Sequence, residues 1–127
     1  MAKRVITGEG VPPSSLPFSP LVEANGFVFL AGQVGEAPGG HGAVPGGIDA
    51  ETRQMLENVG ALLRAAGLDY ADVVQSTVYL LDFGEFARMN AVYREYFPVE
   101  PPTRATVGVG GLAADFRVEI VCVAARR

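Results

Sequence analysis

The chain has 127 residues, 49% of them hydrophobic and only 19% charged, which fits one domain over 1–127 with a core of its own and an apolar surplus that self-association would absorb. A formal net charge of −4 argues against a broad basic footprint for nucleic acid, and Lys3, the only lysine, excludes both a phosphate-loop lysine and a Schiff-base lysine in an ordered pocket. The one cysteine, Cys122, excludes an internal disulfide, and no stretch has the length and apolarity of a membrane span, so a cytoplasmic location is expected.

A short strand begins at Val5. A hairpin follows, with arms over 21–24 and 27–31 around Asn25-Gly26, a dipeptide that accepts positive φ in a tight turn. Residues 34–47 are too rich in Gly and Pro for regular structure and read as a loop; it lacks the ending of a phosphate loop, and its His41 is the only histidine, so a His-based triad or metal site has no basis. From Ile48 the apolar positions 48, 55, 56, 59, 62, 63 and 66 repeat at helical spacing, with Asp49 expected as the cap and Gly67 as the stop. Asp69 and Asp72 read as solvated turn acids.

Residues 73–81 are β-branched and aromatic enough for a strand, with Gln75, Thr77 and Tyr79 on one face and Ser76, Val78 and Leu80 on the other. A second helix is expected from Asp82, with Glu85 as its capping-box partner, through Phe86, Met89, Tyr93 and Phe97 to Pro98. Its aromatics, Tyr96 included, read as core packing. Closing strands are expected over 104–109 and 116–125. The order is that of an α+β sandwich, two helices on one face of a sheet of roughly six strands. The uncovered face is too apolar for exposure, which predicts that it meets copies of itself.

Two residues stand out against this frame. Arg104 follows Pro101-Pro102-Thr103, where the prolines restrict the backbone and hold a guanidinium ready to grip a carboxylate. Glu119 interrupts the last apolar strand, and an acid there needs an explanation. An ordinary ion pair between the two, or exposure to solvent, is the bland alternative. Cys122 reads as a buried core residue.

Several landmarks taken in order resemble the RidA (YjgF-type) family of enamine/imine deaminases. They are Ala31-Gly32-Gln33-Val34-Gly35, Asn58, Ala65-Ala66-Gly67, Asp72-Val73-Val74, Thr77-Val78-Tyr79-Leu80, Phe86, Asn90, Tyr93, Tyr96-Phe97, Pro102-Thr103-Arg104 and Val118-Glu119-Ile120. The resemblance implies a chorismate-mutase-like fold, a homotrimer with ligand clefts between subunits, and hydrolysis of 2-imino acids (the 2-aminoacrylate and 2-iminobutanoate class) to 2-keto acids and ammonia without metal or cofactor. It implies catalytic roles for Glu119, holding or activating water, and for Arg104, taking the substrate carboxylate; Thr106, Asn90, Gly32, Ala31 and Phe18 complete the substrate site. Phe18 stands where many members have Tyr, Ala31 where Ser is common, and Thr106 where Cys or Ser is frequent. The two lost hydroxyls, at Phe18 and Ala31, point either to slower processing of small imino acids or to a larger, less polar substrate. A trimer that binds small carboxylates or a protein partner without turnover is the alternative.

Overall fold

The computed structural model describes residues 3–127. Its seven strands are β1 (Arg4–Val5), β2 (Leu21–Ala24), β3 (Phe27–Leu30), β4 (Gln33–Val34), β5 (Val73–Leu80), β6 (Thr103–Gly108) and β7 (Val118–Ala125); the helices are α1 (Gly47–Ala65) and α2 (Phe86–Tyr96). The strands form one sheet in the order β1-β2-β3-β7-β5-β6. Pairing is antiparallel except between β5 and β6, which run parallel because α2 crosses between them. Asn25 and Gly26 both have positive φ, 53° and 81°, as the β2–β3 hairpin requires.

The seventh strand, not anticipated as separate, is the continuation of β3. Phe29 pairs with Val123 on β7, whereas Gln33 pairs with Ile120, so four residues on one side match three on the other. The extra residue is a bulge at Ala31-Gly32, and it divides one edge-to-edge pairing into two short strands.

Helix α1 starts earlier than expected and without a side-chain cap. Gly46 is its N-cap in left-handed geometry, and Asp49 instead pairs with Arg88 of α2 at 3.1 Å. Gly67, with φ of 78°, ends it as expected. Asp82 does cap, but what it caps is a 3₁₀ turn over Phe83–Glu85, accepting from the Gly84 amide at 2.9 Å; α2 itself begins at Phe86, and Glu85 makes no capping box. Asp69 and Asp72 are also not solvated turn acids. They form a reciprocal capping box on the turn Tyr70–Asp72, and Asp72 is buried and bound to Arg127.

Both helices lie on one face of the sheet. The core between layers holds Leu21, Val28, Leu30, Val78, Leu80, Val118, Ile120 and Cys122 from the strands against Ile48, Met55, Leu56, Val59, Leu63, Met89 and Tyr93 from the helices. Cys122 is buried there, and desolvation pushes its thiol up to about 12. The opposite face has no covering layer in the single chain. Its register aligns Gln75, Val123, Phe29, Val22 and Val5 in one row across five strands, and Val5, Phe27, Phe29 and Val107 are exposed.

Candidate functional site

Arg104 and Thr106 are alternate residues of the edge strand β6. Their partners on β5 are Ser76 and Val78, both buried under the helices, so Arg104 and Thr106 belong to the helix-covered face. The Arg104 guanidinium carbon lies 4.6 Å from the centre of the Tyr93 ring and 5.6 Å from that of Phe86. Rings stabilise the cation through their faces and leave its in-plane N–H donors for another group. No carboxylate among the described residues forms an ion pair with Arg104.

This seat is itself held. The Tyr93 hydroxyl shares a 2.7 Å hydrogen bond with the buried Ser76 hydroxyl, and Phe86 stacks on Phe83 with ring centres 5.4 Å apart. Burial raises the Tyr93 phenol above its ordinary range, so it stays a neutral hydroxyl beside the cation. Phe86, Asn90 and Tyr93 follow one another at helical spacings of four and three, which puts the half-buried Asn90 on the α2 face that bears both rings. The reading of Phe86 and Tyr93 as core packing therefore covers only part of what they do.

Glu119 lies on β7 in register with Tyr79 of β5, on the open face. It is half-buried and forms no ion pair among the described residues, and desolvation holds its carboxyl above the ordinary carboxylate range. Within one chain Arg104 does not reach it, so the bland ion-pair alternative fails. The carboxylate instead rests against Gly32 in the bulge, where any Cβ would overlap Glu119 Oε2. Gly35, the second glycine of the same motif, is required for a different close approach: a Cβ there would lie 2.6 Å from the Glu51 carbonyl oxygen of α1.

Phe18, Ala31, Gly32 and Glu119 line one concavity on the open face, together with Ser19, Val22, Phe29 and Leu30. The expected site residues thus fall into two groups. Phe18, Ala31, Gly32 and Glu119 stand together on one face; Asn90, Arg104 and Thr106 stand together on the other. His41 is exposed in its loop, and the described residues hold no cluster of three His, Cys, Asp or Glu side chains suited to a metal. Asn58 serves the framework: its amide donates to the Val34 and Glu36 carbonyls at 2.9 Å each, tying α1 to β4.

A matching family model, described as endoribonuclease L-PSP, covers residues 9–126. The chain belongs to this family, the RidA (YjgF-type) proteins. It is 43% identical over 122 residues to the RutC family protein PH0854 of Pyrococcus horikoshii, spanning 96% of this chain and 97% of that one. It is 37% identical to a goat protein named 2-iminobutanoate/2-iminopropanoate deaminase, over 98% of this chain and 90% of that one. The solved structure of the YjgF gene product from E. coli superposes with a TM-score of 0.88 at 35% identity, covering 98% of this chain and 99% of that one. The RidA fold, two helices on one face of a mixed sheet, is the fold described above.

One acid was not singled out in advance. Glu51 is buried on α1, where its Oε1 accepts the Arg117 amide at 2.8 Å and its Oε2 lies 3.4 Å from the Arg117 side chain. Arg117 also reaches Glu85 at 3.2 Å, linking α1, the 3₁₀ turn and the approach to β7. A signal existed: Glu51 sits three residues after Ile48 and four before Met55, on the core stripe of the helix.

Proposed function

We propose that this RidA protein hydrolyses 2-imino acids and their enamine tautomers to 2-keto acids and ammonia, as a cofactor-free homotrimer with its sites in clefts between copies. The observation that carries this reading is the division of the site between two faces of one sheet. A guanidinium without a carboxylate partner lies on one face, and a desolvated carboxyl without a cation on the other. Each group lacks a partner of opposite charge among the described residues, which supports a site completed by a second copy. The exposed Val5, Phe27 and Val107, outside the concavity, give that copy an apolar surface to cover. The deaminase name of a relative matched over nearly the whole chain supports the same chemistry.

In this mechanism Arg104 of one copy takes the substrate carboxylate in two parallel N–H···O bonds, a geometry that suits a planar fork better than a point charge. Asn90 and Thr106, on the same face, add hydrogen bonds that fix the imine carbon. Glu119 of the neighbouring copy accepts a proton from water as the new C–O bond forms, the C=N electron pair moves to nitrogen, and Glu119 returns that proton to the nitrogen, leaving its carboxylate free again. Glu119 then carries the hydroxyl proton of the resulting carbinolamine to nitrogen; the C–N bond breaks, the C=O bond forms, and ammonia leaves. A desolvated carboxyl suits both transfers, since its proton affinity is raised toward neutral pH. In this reading the Gly32 amide serves as a donor to the substrate, and Phe18 and Ala31 form the apolar wall. A cytoplasmic, reducing setting suits the single unpaired cysteine.

The test is complementation. Arg104→Ala and Glu119→Gln are each expected to be inactive; unfolding and reassembling them together creates clefts with Arg104 from one copy and Glu119 from the next. Random mixing restores about a quarter of wild-type activity, because one in four copy pairs has the productive order. No recovery from well-assembled mixtures removes the shared site. A second reading, a carboxylate-binding trimer without turnover, is favoured by the absence of hydroxyls at Phe18 and Ala31; there wild type binds pyruvate but never accelerates keto-acid release.

A further inference from the structure

The concavity beside Glu119 has a volume of about 510 Å³, within the roughly 300–1,000 Å³ range of small-ligand sites. Its walls are Phe18, Val22, Phe29, Leu30, Ala31 and Gly32; the polar groups are Ser19 and Glu119. Val22 and Phe29 are direct cross-strand partners on β2 and β3, so their side chains form one apolar floor. The wall is tied down as well, since the Ala31 amide donates to the Pro20 carbonyl at 2.9 Å and holds the segment bearing Phe18 and Ser19 against the bulge.

This lining decides which part of a substrate enters. Among the groups this chain contributes, a carboxylate there would face Glu119 and no cation, so it goes instead to the Arg104 fork of the neighbouring copy. What remains of a 2-imino acid is its C=N group and its side chain. A side chain with an acid or amide would lose its water and find one hydroxyl in return. An apolar side chain gains with each methylene removed from water.

We infer that this concavity receives the substrate side chain and selects 2-imino acids with branched aliphatic or aromatic side chains, with Val22 and Phe29 as specificity-determining residues. The inference rests on the deaminase reading above, which by itself leaves the side chain open.

The experiment generates imino acids in place with an amino acid oxidase acting on leucine, phenylalanine, alanine or glutamate, and follows the acceleration of keto-acid release by the assembled protein. The expected kcat/KM is about tenfold or more higher for the leucine- and phenylalanine-derived imines than for the alanine-derived one, with the glutamate-derived imine lowest. Val22→Thr, which keeps the shape and adds a hydroxyl, and Val22→Phe, which fills the floor, both lower the ratio of large to small substrate. A wild-type preference for the small or acidic imine overturns the inference, as does a ratio that neither variant changes. If no imine is hydrolysed, the deaminase reading has failed and calorimetry with two keto acids decides the subsite separately. Tighter binding of 4-methyl-2-oxopentanoate than of pyruvate, reversed or levelled by Val22→Phe, supports it; equal binding, or none, overturns it.

Discussion

Arg104 is in register with Ser76 and Glu119 with Tyr79, an even and an odd position of the same strand, so the two side chains leave the sheet on opposite faces. The period of a strand is two, and no rotamer changes the side on which a residue emerges. A reaction that uses both groups therefore has assembly built into it, and dilution that dissociates the copies abolishes activity while each chain remains folded.

Arg104→Lys is expected to weaken binding of a pyruvate-type ligand nearly as much as Arg104→Ala. One ammonium does not reproduce two parallel hydrogen bonds, and a charged contact contributes about 1.5–3 kcal/mol, or roughly 10- to 100-fold in affinity. Calorimetry reads this directly; full affinity in either variant removes Arg104 from the site.

The seat beneath Arg104 is expected to behave as a positioning device. Tyr93→Leu removes the ring 4.6 Å from the cation and should weaken carboxylate binding by about 0.5–2 kcal/mol, whereas Tyr93→Phe keeps the ring and should lose less. Ser76→Ala leaves a buried phenol without its partner and should show up chiefly as lower thermal stability, by about 1–3 kcal/mol. Equal binding by Tyr93→Leu and wild type would leave the ring a packing role only.

Gly32→Ala tests the Glu119 carboxylate by crowding. The added methyl occupies the space of Glu119 Oε2, so the carboxyl must swing away while the bulge backbone is retained. Imine hydrolysis is expected to fall about 10²-fold, comparable to Glu119→Gln, with pyruvate affinity changing much less. Wild-type turnover by a well-folded, assembled Gly32→Ala protein argues that Glu119 takes no part in proton transfer.

Glu51 makes a prediction about stability and pH. Burial raises its carboxyl above the ordinary value of 4.5, outweighing the opposing Arg117 amide and charge, with Asp115 and Glu85 adding to the rise. A folded value above the unfolded one means that the protonated form is the better accommodated. The stabilisation is full below the unfolded value and fades as pH rises through the folded one. Glu51→Gln lacks this loss, so its melting temperature relative to wild type should climb across that window. A constant offset from pH 4 to 8 would show that Glu51 titrates alike in the folded and unfolded chains.

What was legible in the sequence was mostly local. Asn25-Gly26 announces its hairpin because the φ requirement lies within two residues, and Gly67 announces the end of α1 for the same reason. Arg104 and Glu119 were conspicuous because each is out of place in its own segment. Their separation onto two faces was not, because it depends on the registers of β6 and β7 with β5, partners remote in the chain. The short β4 was hidden likewise: two residues carry no periodicity, and only the bulge opposite β7 defines them. The start of α2 was misjudged because Asp82 caps equally well a 3₁₀ turn, which has the same first hydrogen bonds as a helix.

A protein that handles imines works with electrophiles, whose C=N carbon is open to attack by any amine or thiolate within reach. Ordinary surfaces are full of such nucleophiles. This chain has one lysine, at position 3, and one cysteine, sealed in the core with a thiol that resists ionisation up to about pH 12. Its positive charge is otherwise carried by arginine, whose guanidinium stays protonated and does not add to C=N bonds. The burial of Cys122 thus takes the chain's one thiol out of reach of such compounds, and the scarcity of lysine leaves few side-chain amines for them to mark.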